Sequence, residues 1–351
     1  EFNAINTNVA GVRICEHFPR LAKMWNHCAA IRSTVGQAND HNSFHLMTGR
    51  QRRSPQPSGG WPGMGSVMAK LEGGGMHGTP PYIGFDSRAQ GPGFLGTPYK
   101  PFSPSGKGRQ DLTLNGVTTE RLGDRRALLN SFDGFRRDVD NRKQMAGLDK
   151  FNEQAFGVIT SNRLLHALDL KKEDPKRLAK YKVPRGYRSV DSFCTARRGV
   201  GAGARFVTLS WGSWDTHSKN FPRLKDKLLP AMDRAVSSLL EDLSEKGLLD
   251  DTLVLVMGEF GRTPVINQSA GRDHWASVFS ALMAGGSIRA GQVIGSSDKT
   301  GAFPNHRPEH ARNLFATMYH GLGIDYRNHF NDQQGRPIPL LGNAEPIKGL
   351  F

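Results

Sequence analysis

The stretch that most constrains the fold runs from Thr252 to Trp275. It begins with TLVLVM, an apolar and partly β-branched run that directly follows two aspartates. A run of this kind is typical of a fully buried strand inside a parallel sheet. Polar residues follow at once in GEFGR, and the stretch ends in RDHW. Because ligands of open α/β sheets bind outside the carboxyl ends of the strands, these polar residues are candidates for chemistry.

The order of the elements predicted along the chain favours a doubly wound α/β domain with a mostly parallel sheet and helices on both faces. Apolar runs indicate strands, and apolar residues at helical spacing indicate helices. The predicted strands cover residues 30–33, 205–210, 252–257 and 278–283, and the main predicted helices cover residues 221–246 and 308–322. Gly247 directly follows the predicted helix over residues 221–246, at a position where glycine commonly ends a helix.

The middle of the chain has weaker patterning. Residues 51–103 are rich in glycine and proline and too long for an ordinary connection, so they form a substrate-facing insertion or an extended surface wrap. Residues 104–203 are charged and helical in character, but residues 181–203 allow no assignment. Helix-like intervals in this region separate Leu122, Leu128, Leu129 and Phe132.

Composition excludes several classes of protein. The 351 residues are 37% hydrophobic and contain no run of the roughly 18 apolar residues that span a membrane. Three cysteines without CxxC spacing argue against a disulfide framework or a thiolate zinc site. The net charge of +15 would attract anions, but the basic residues are dispersed and no nucleic-acid-binding motif accompanies them. We therefore expect no nucleic-acid partner.

Three polar clusters flank the predicted strands. Carboxylates and imidazoles that converge from several strand ends are what a divalent-metal hydrolase needs. Zinc, manganese or iron accept this mixture of ligands, whereas calcium prefers oxygen alone. The clusters are Asp215 with His217, Glu259 with Arg262, and Asp273 with His274.

Each of these residues also has a structural interpretation. Asp215 could cap a turn, and His274 could be a core histidine that is hydrogen-bonded to its neighbours. Glu259 suits a simple ion pair with Arg262. The occurrence of three clusters at the functional edge of one sheet favours the metal site over three separate structural roles.

Several passages resemble the domain of unknown function 1501 family, which is sulfatase-like and belongs to the alkaline phosphatase superfamily. The resemblance implies a single alkaline-phosphatase-like domain over residues 1–351, a three-layer sandwich with a mostly parallel central sheet. It also implies a periplasmic or exported protein that is truncated at its N-terminus and lacks its first strand. The passages are TNVAGVRICEHFPRLAKMW, NDHNSFHLMTGR, WDTHSKNFPRLKDKLLPAMDRA, LLDDTLVLVMGEFGRTP, GRDHW and GQVIGSSDKTGAFP.

The same resemblance implies a ligand set for a divalent metal, which would be Zn, Mn or Ca. Glu259 matches the Asp of the superfamily's Asp-His metal pair, and Phe260 stands where its His would be. The implied metal ligands are Asp215, His217, Glu259 and His274. The implied alternative ligands or orienting residues are Asp40, His41 and Asp273.

SFHLMTGR is similar to the sulfatase signature that ends in Leu-Thr-Gly-Arg. In that register the nucleophile position falls on Asn39, and Ser43 is a nearby hydroxyl. Together with Arg262 these residues form the implied catalytic set, and Arg50 is the implied anion-binding residue.

Two functions remain open from the sequence. The first is a metal-dependent hydrolase of sulfate or phosphate esters, acting on a small-molecule or polysaccharide ester. The alternative is a non-catalytic exported protein of the same fold that binds an anionic glycan or a protein partner.

Overall fold

The computed structural model describes residues 2–85, 89–104 and 162–351, together with Gly157. The chain divides into two compact units. The first comprises Glu1–Pro55, Asp174–Arg197 and Trp211–Phe351, and the second comprises Gln56–Glu173 and Arg198–Ser210. The helical pattern predicted around Leu122, Leu128, Leu129 and Phe132 lies outside the described residues.

The described strands are short. In chain order they are β1 (Ala4–Asn6), β2 (Arg13–Cys15), β3 (Cys28–Val35), β4 (Tyr82–Gly84), β5 (Phe206–Thr208), β6 (Val254–Met257), β7 (Gly261–Arg262), β8 (His274–Trp275), β9 (Phe279–Ala284), β10 (Gln292–Ile294), β11 (Ser296–Ser297), β12 (Pro304–His306), β13 (Glu309–His310), β14 (His329–Asn331) and β15 (Pro337–Pro339).

The described α-helices are mostly short as well, and α7 continues through a π-helical segment (Leu224–Leu228) into the long helix α8. The helices are α1 (Pro19–Ala22), α2 (Phe44–Thr48), α3 (Met64–Leu71), α4 (Arg163–Leu168), α5 (Pro175–Lys180), α6 (Asp191–Gly201), α7 (Asn220–Arg223), α8 (Leu229–Glu245) and α9 (Ala311–Gly321).

The first unit is built on a mixed five-stranded sheet. Four strands follow the order β10-β3-β9-β6, and β13 also pairs with β3. Strands β10 and β13 run parallel to β3, whereas β9 runs antiparallel to both β3 and β6. The other described sheets have two strands each, and among them only β4 and β5 pair in parallel.

The predicted fold class, a doubly wound or three-layer sandwich with a mostly parallel central sheet and helices on both faces, is therefore wrong. The reason lies in the connection from β6 to β9, which the structure describes throughout and which contains no helix. Parallel neighbours need a crossover connection, usually a helix, whereas antiparallel strands can be joined directly. The predicted full burial of residues 252–257 is wrong too, since all four residues of β6 are half-buried.

Apolar periodicity nevertheless located the main elements. The helix predicted over residues 221–246 is confirmed by the continuous run from α7 to α8, and Gly247 follows it with a φ of +64°. Helix α8 buries one apolar face, which includes Ala231, Ala235, Leu240 and Leu243. Strand β9 and helix α9 confirm the strand and helix predicted near residues 278–283 and 308–322.

The second unit contains most of the glycine- and proline-rich stretch. Helix α3 is buried along most of its length, and it lies against β4 and β5. Gly65 permits this contact, because a Cβ at that position would collide with the rings of Tyr82 and Phe206. A buried cluster of Ile83, Leu164, Leu168 and Ala204 completes the core of this unit.

One helix forms where the sequence pattern predicted none. Helix α6 forms within residues 181–203, where the pattern allowed no assignment. Within the described part of the chain, no helix has both the length and the apolar character needed to cross a membrane.

We expect Cys28 to resist alkylation in the folded protein. It is fully buried, and burial raises the pKa of its thiol to about 12. The thiolate is the reactive form, so iodoacetamide at about pH 8 should label the half-buried Cys15 well before Cys28. Peptide mass spectrometry checks this, with guanidinium-unfolded protein as the control in which both label. Equal labelling rates in the folded chain would contradict the burial.

Candidate metal centre

Four segments of the first unit meet where strands of the five-stranded sheet end, on one side of that sheet. Because β3 and β6 both run antiparallel to β9, the C-terminal ends of β3 and β6 lie beside the N-terminal end of β9. Residues 39–43 follow β3, Glu259 follows β6, and the β7–β8 pair that precedes β9 places Arg262 opposite His274. Residues 215–217 join them through a hydrogen bond from the Arg272 amide to the Thr216 carbonyl, at 3.1 Å.

Four nitrogen atoms converge on one oxygen of Asp215. The Nε2 atoms of three histidines lie 2.9 Å (His217), 3.2 Å (His41) and 3.3 Å (His274) from Asp215 Oδ1. Arg262 Nη2 lies 2.6 Å from the same oxygen. We call His41, Asp215, His217 and His274 the histidine–aspartate cluster. One oxygen cannot accept well-formed hydrogen bonds from four donors, so the arrangement calls for another explanation.

The other ring nitrogen of each histidine supplies that explanation. Each Nδ1 faces either an ionised carboxylate or a backbone carbonyl, and both groups accept hydrogen bonds but cannot donate them. In a neutral ring the proton therefore lies on Nδ1, and Nε2 carries a lone pair. The Nδ1 contacts are His41 with Glu259 Oε2 at 2.7 Å, His217 with Asp273 Oδ1 at 2.6 Å, and His274 with the Asn39 carbonyl oxygen at 3.1 Å.

Three imidazole lone pairs and a carboxylate oxygen therefore face one point. His217 Nε2 and His274 Nε2 are only 3.0 Å apart, which two lone pairs tolerate only with a cation or a proton between them. Ligand atoms of His41, Asp215 and His274 all lie within 4.8 Å of one another. The described residues thus contain a possible His/Asp/His metal-binding triad, with His217 beside it.

Nearby groups favour the ionised forms of Asp215 and Asp273. Burial by itself would raise the pKa of Asp215, but the Arg262 guanidinium, as a hydrogen-bond donor and as a positive charge, holds that pKa well below its usual range. The hydrogen bond from His217 lowers the pKa of Asp273. The hydrogen bond to Glu259 raises the pKa of His41.

Residues 1–351 match the family model described as "Protein of unknown function (DUF1501)". The chain belongs to this family. The DUF1501 membership predicted from the sequence passages is thereby confirmed over residues 1–351. No curated protein matches the chain. Since the DUF1501 description states no activity, the function of this family member has to be inferred from its site.

In this DUF1501 chain, His41 lies between Asp215 and Glu259. Among the implied metal ligands, Asp215, His217 and His274 belong to the histidine–aspartate cluster. Glu259 lies behind His41 and holds its Nδ1, so His41 takes the inner position. Phe260, where the sequence resemblance implied a histidine, packs against His274, with ring centroids 4.4 Å apart.

The remaining predicted residues have other contacts. Asp40 lies 3.1 Å from Nε2 of the buried His45. Arg50 donates to the carbonyls of Pro339 and Leu340, and burial lowers its pKa to about 10. Ser43 immediately precedes α2, and its carbonyl accepts a hydrogen bond from the Met47 amide.

Sequence reasoning missed Asn267, which ties two segments of the site together. Its Nδ2 donates to Asp273 Oδ1 at 3.1 Å and to the His217 carbonyl at 3.0 Å. Its Oδ1 accepts from the amides of Ser269 and Gly271, both at 2.9 Å. Gly271 allows the close approach, because a Cβ there would collide with the His217 carbonyl. The Asn-to-Gly spacing in the loop NQSAG was the available signal.

Proposed function

We propose that the chain is a metal-dependent hydrolase of sulfate or phosphate esters and that the histidine–aspartate cluster holds its metal. The observation that carries the proposal is the orientation of the three imidazoles. Each presents Nε2 towards Asp215, while an outer oxygen holds Nδ1. Outer partners of this kind fix the tautomer and the ring orientation of metal-binding histidines. The sulfatase-like resemblance of the sequence supports the same reaction class.

The ligand chemistry favours a particular group of metals. Three imidazole nitrogens with one carboxylate oxygen suit zinc, manganese or iron better than calcium, which prefers oxygen ligands. The site also has the right charge. The carboxylates of Asp215, Glu259 and Asp273 outnumber the Arg262 guanidinium by two charges, which a divalent cation would offset.

A bound divalent cation supplies a Lewis acid that polarises an ester oxygen. The chain's own residues supply binding and orientation. Arg262 presents a planar guanidinium, which matches the paired oxygens of sulfate and phosphate groups. It is only 19% exposed and packs over the Phe260 ring, so its direction is fixed. Glu259 and Asp273 hold His41 and His217 in the orientation that the site requires.

Metal uptake and ester hydrolysis test the proposal together. Purified chain is dialysed against a chelator, incubated separately with zinc, manganese and calcium, and analysed for metal content. We expect about one zinc or manganese ion per chain and metal-dependent hydrolysis of p-nitrophenyl phosphate or p-nitrophenyl sulfate. A folded chain that takes up none of these metals would overturn the proposal.

Metal uptake without turnover of either ester would instead support the non-catalytic alternative. One observation favours testing it. Asn39, which occupies the nucleophile position implied by the sulfatase signature, gives its backbone carbonyl to His274 at 3.1 Å. In this contact Asn39 orients His274, a proposed metal ligand, and does not act as a nucleophile.

A further inference from the structure

Two tryptophans precede Asp215 in the segment WGSWD, and the proposed function does not use them. Trp211 and Trp214 are both half-buried, and their ring centroids lie 6.0 Å apart. We call them the aromatic pair. Trp214 is the chain neighbour of Asp215, so the aromatic pair directly precedes this member of the histidine–aspartate cluster in the chain. Large, partly exposed aromatic rings beside a candidate site call for a ligand-binding explanation.

The pair is held rigidly. Trp211 packs against the buried Phe193, with ring centroids 6.1 Å apart. Gly212 has a φ of +104°, and a Cβ there would collide with the Trp214 indole. A glycine is therefore required for the tight path between the two tryptophans. Rigid aromatic rings offer binding area at little cost in conformational entropy.

The indole N–H groups are already used inside the protein. Trp211 Nε1 donates to the Ser189 carbonyl at 2.8 Å, and Trp214 Nε1 donates to the Trp211 carbonyl at 3.1 Å. A ligand can therefore use only the carbon surfaces of the two rings. A ligand that matches them has an apolar face of its own.

The angle between the rings helps to define that ligand. The two planes are inclined at 61°, so they cannot sandwich a flat aromatic ring or a nucleobase. They form an angled floor instead. A pyranose ring fits such a floor, because it is puckered, presents C–H groups on its face and carries hydroxyl groups at its rim.

Charges around the pair favour an anionic sugar. Arg188 donates to the Gly212 carbonyl at 3.0 Å, and Arg223 donates to the carbonyls of Ser213 and Asp215 at 3.4 and 3.3 Å. A guanidinium has five N–H donors, so both side chains keep donors for sulfate or phosphate oxygens. The two arginines thus place positive charge beside the aromatic floor.

We infer that the aromatic pair is a sugar-binding subsite and that the esters hydrolysed at the histidine–aspartate cluster are carbohydrate esters. The reaction class rests on the proposed function. Binding of an anionic oligosaccharide to the pair does not depend on turnover, so the two can fail separately.

The test measures binding of maltohexaose, sulfated maltohexaose and polyvinyl sulfate to metal-free chain by calorimetry. We expect sulfated maltohexaose to bind more tightly than polyvinyl sulfate. Trp211→Ala and Trp214→Ala should each weaken its binding about tenfold. Trp61→Ala is the matched control, since Trp61 is a half-buried tryptophan of the second unit that also packs edge-on against a phenylalanine. It should change binding less than twofold.

The outcomes separate the two proposals. Equal affinity for polyvinyl sulfate and sulfated maltohexaose would show attraction by net charge alone and overturn the sugar subsite. Unchanged binding in both tryptophan variants, with circular dichroism spectra like the wild type, would overturn it too. Sugar binding that depends on the aromatic pair in a chain that takes up no metal would uphold the subsite while the hydrolase proposal fails.

Discussion

Replacing Asp215 with Asn is expected to lower zinc affinity by at least about 100-fold while the fold is retained. All three imidazole Nε2 atoms of the histidine–aspartate cluster face Asp215 Oδ1. The amide removes the negative charge that attracts the cation, and its NH2 group cannot serve as a ligand. Because the Asp215 side chain is 44% exposed, the change opens no buried cavity. Competition for zinc against a chromophoric chelator measures the affinity, and circular dichroism monitors the fold.

Two other substitutions should have graded effects. Glu259→Gln and Asp273→Asn remove the charged acceptors behind His41 and His217, and each should weaken zinc binding by about 10- to 100-fold. Asp40→Asn is the control, because Asp40 is an exposed carboxylate next to His41 in the chain but contacts His45 instead of the cluster. It should leave the zinc affinity unchanged.

The order of these effects identifies the ligands. If Glu259→Gln abolished zinc binding as completely as Asp215→Asn, Glu259 would be a direct ligand, as the family resemblance implied from the sequence. If Asp215→Asn bound zinc like the wild type, the histidine–aspartate cluster would not be the metal site.

The place of the site could be predicted from the sequence better than the fold could. The apolar run that becomes β6 indicated a strand, and polar residues directly after it indicated the edge where ligands bind. Strand direction was not encoded in that run. A short apolar segment has the same composition whether its neighbours are parallel or antiparallel, and the helix-free connection to β9 decided between them.

The inner and outer roles of the site residues could not be read from the sequence. Glu259 and His41 are 218 positions apart, and only the meeting of β3 and β6 at one edge shows that the carboxylate stands behind the imidazole. Asn267 was missed because its only sequence signal, the Asn-to-Gly spacing in NQSAG, indicates a turn and does not show which residues the amide contacts. Only the folded structure shows that Asn267 links two segments of the site, by donating hydrogen bonds to Asp273 and to the His217 carbonyl.

The second large effect concerns stability. Asp242 on α8 is completely buried, and its Oδ2 lies 3.4 Å from Arg197 Nε and accepts a hydrogen bond from the Tyr181 hydroxyl at 3.1 Å. Asp242→Ala would remove the carboxylate that faces the Arg197 guanidinium, which is itself only 5% exposed. We expect the free energy of unfolding to fall by about 3–5 kcal/mol, measured by urea denaturation.

Glu245, one turn further along the same helix, provides the matched control. It pairs with Lys180 at 2.5 Å, but its side chain is 46% exposed, and solvent screening makes such pairs weak. Glu245→Ala should therefore cost less than about 1 kcal/mol. The double variant Asp242→Leu with Arg197→Met removes both buried charges and should recover most of the lost stability. If Asp242→Ala were no more destabilising than Glu245→Ala, Asp242 and Arg197 would not form a buried pair in solution.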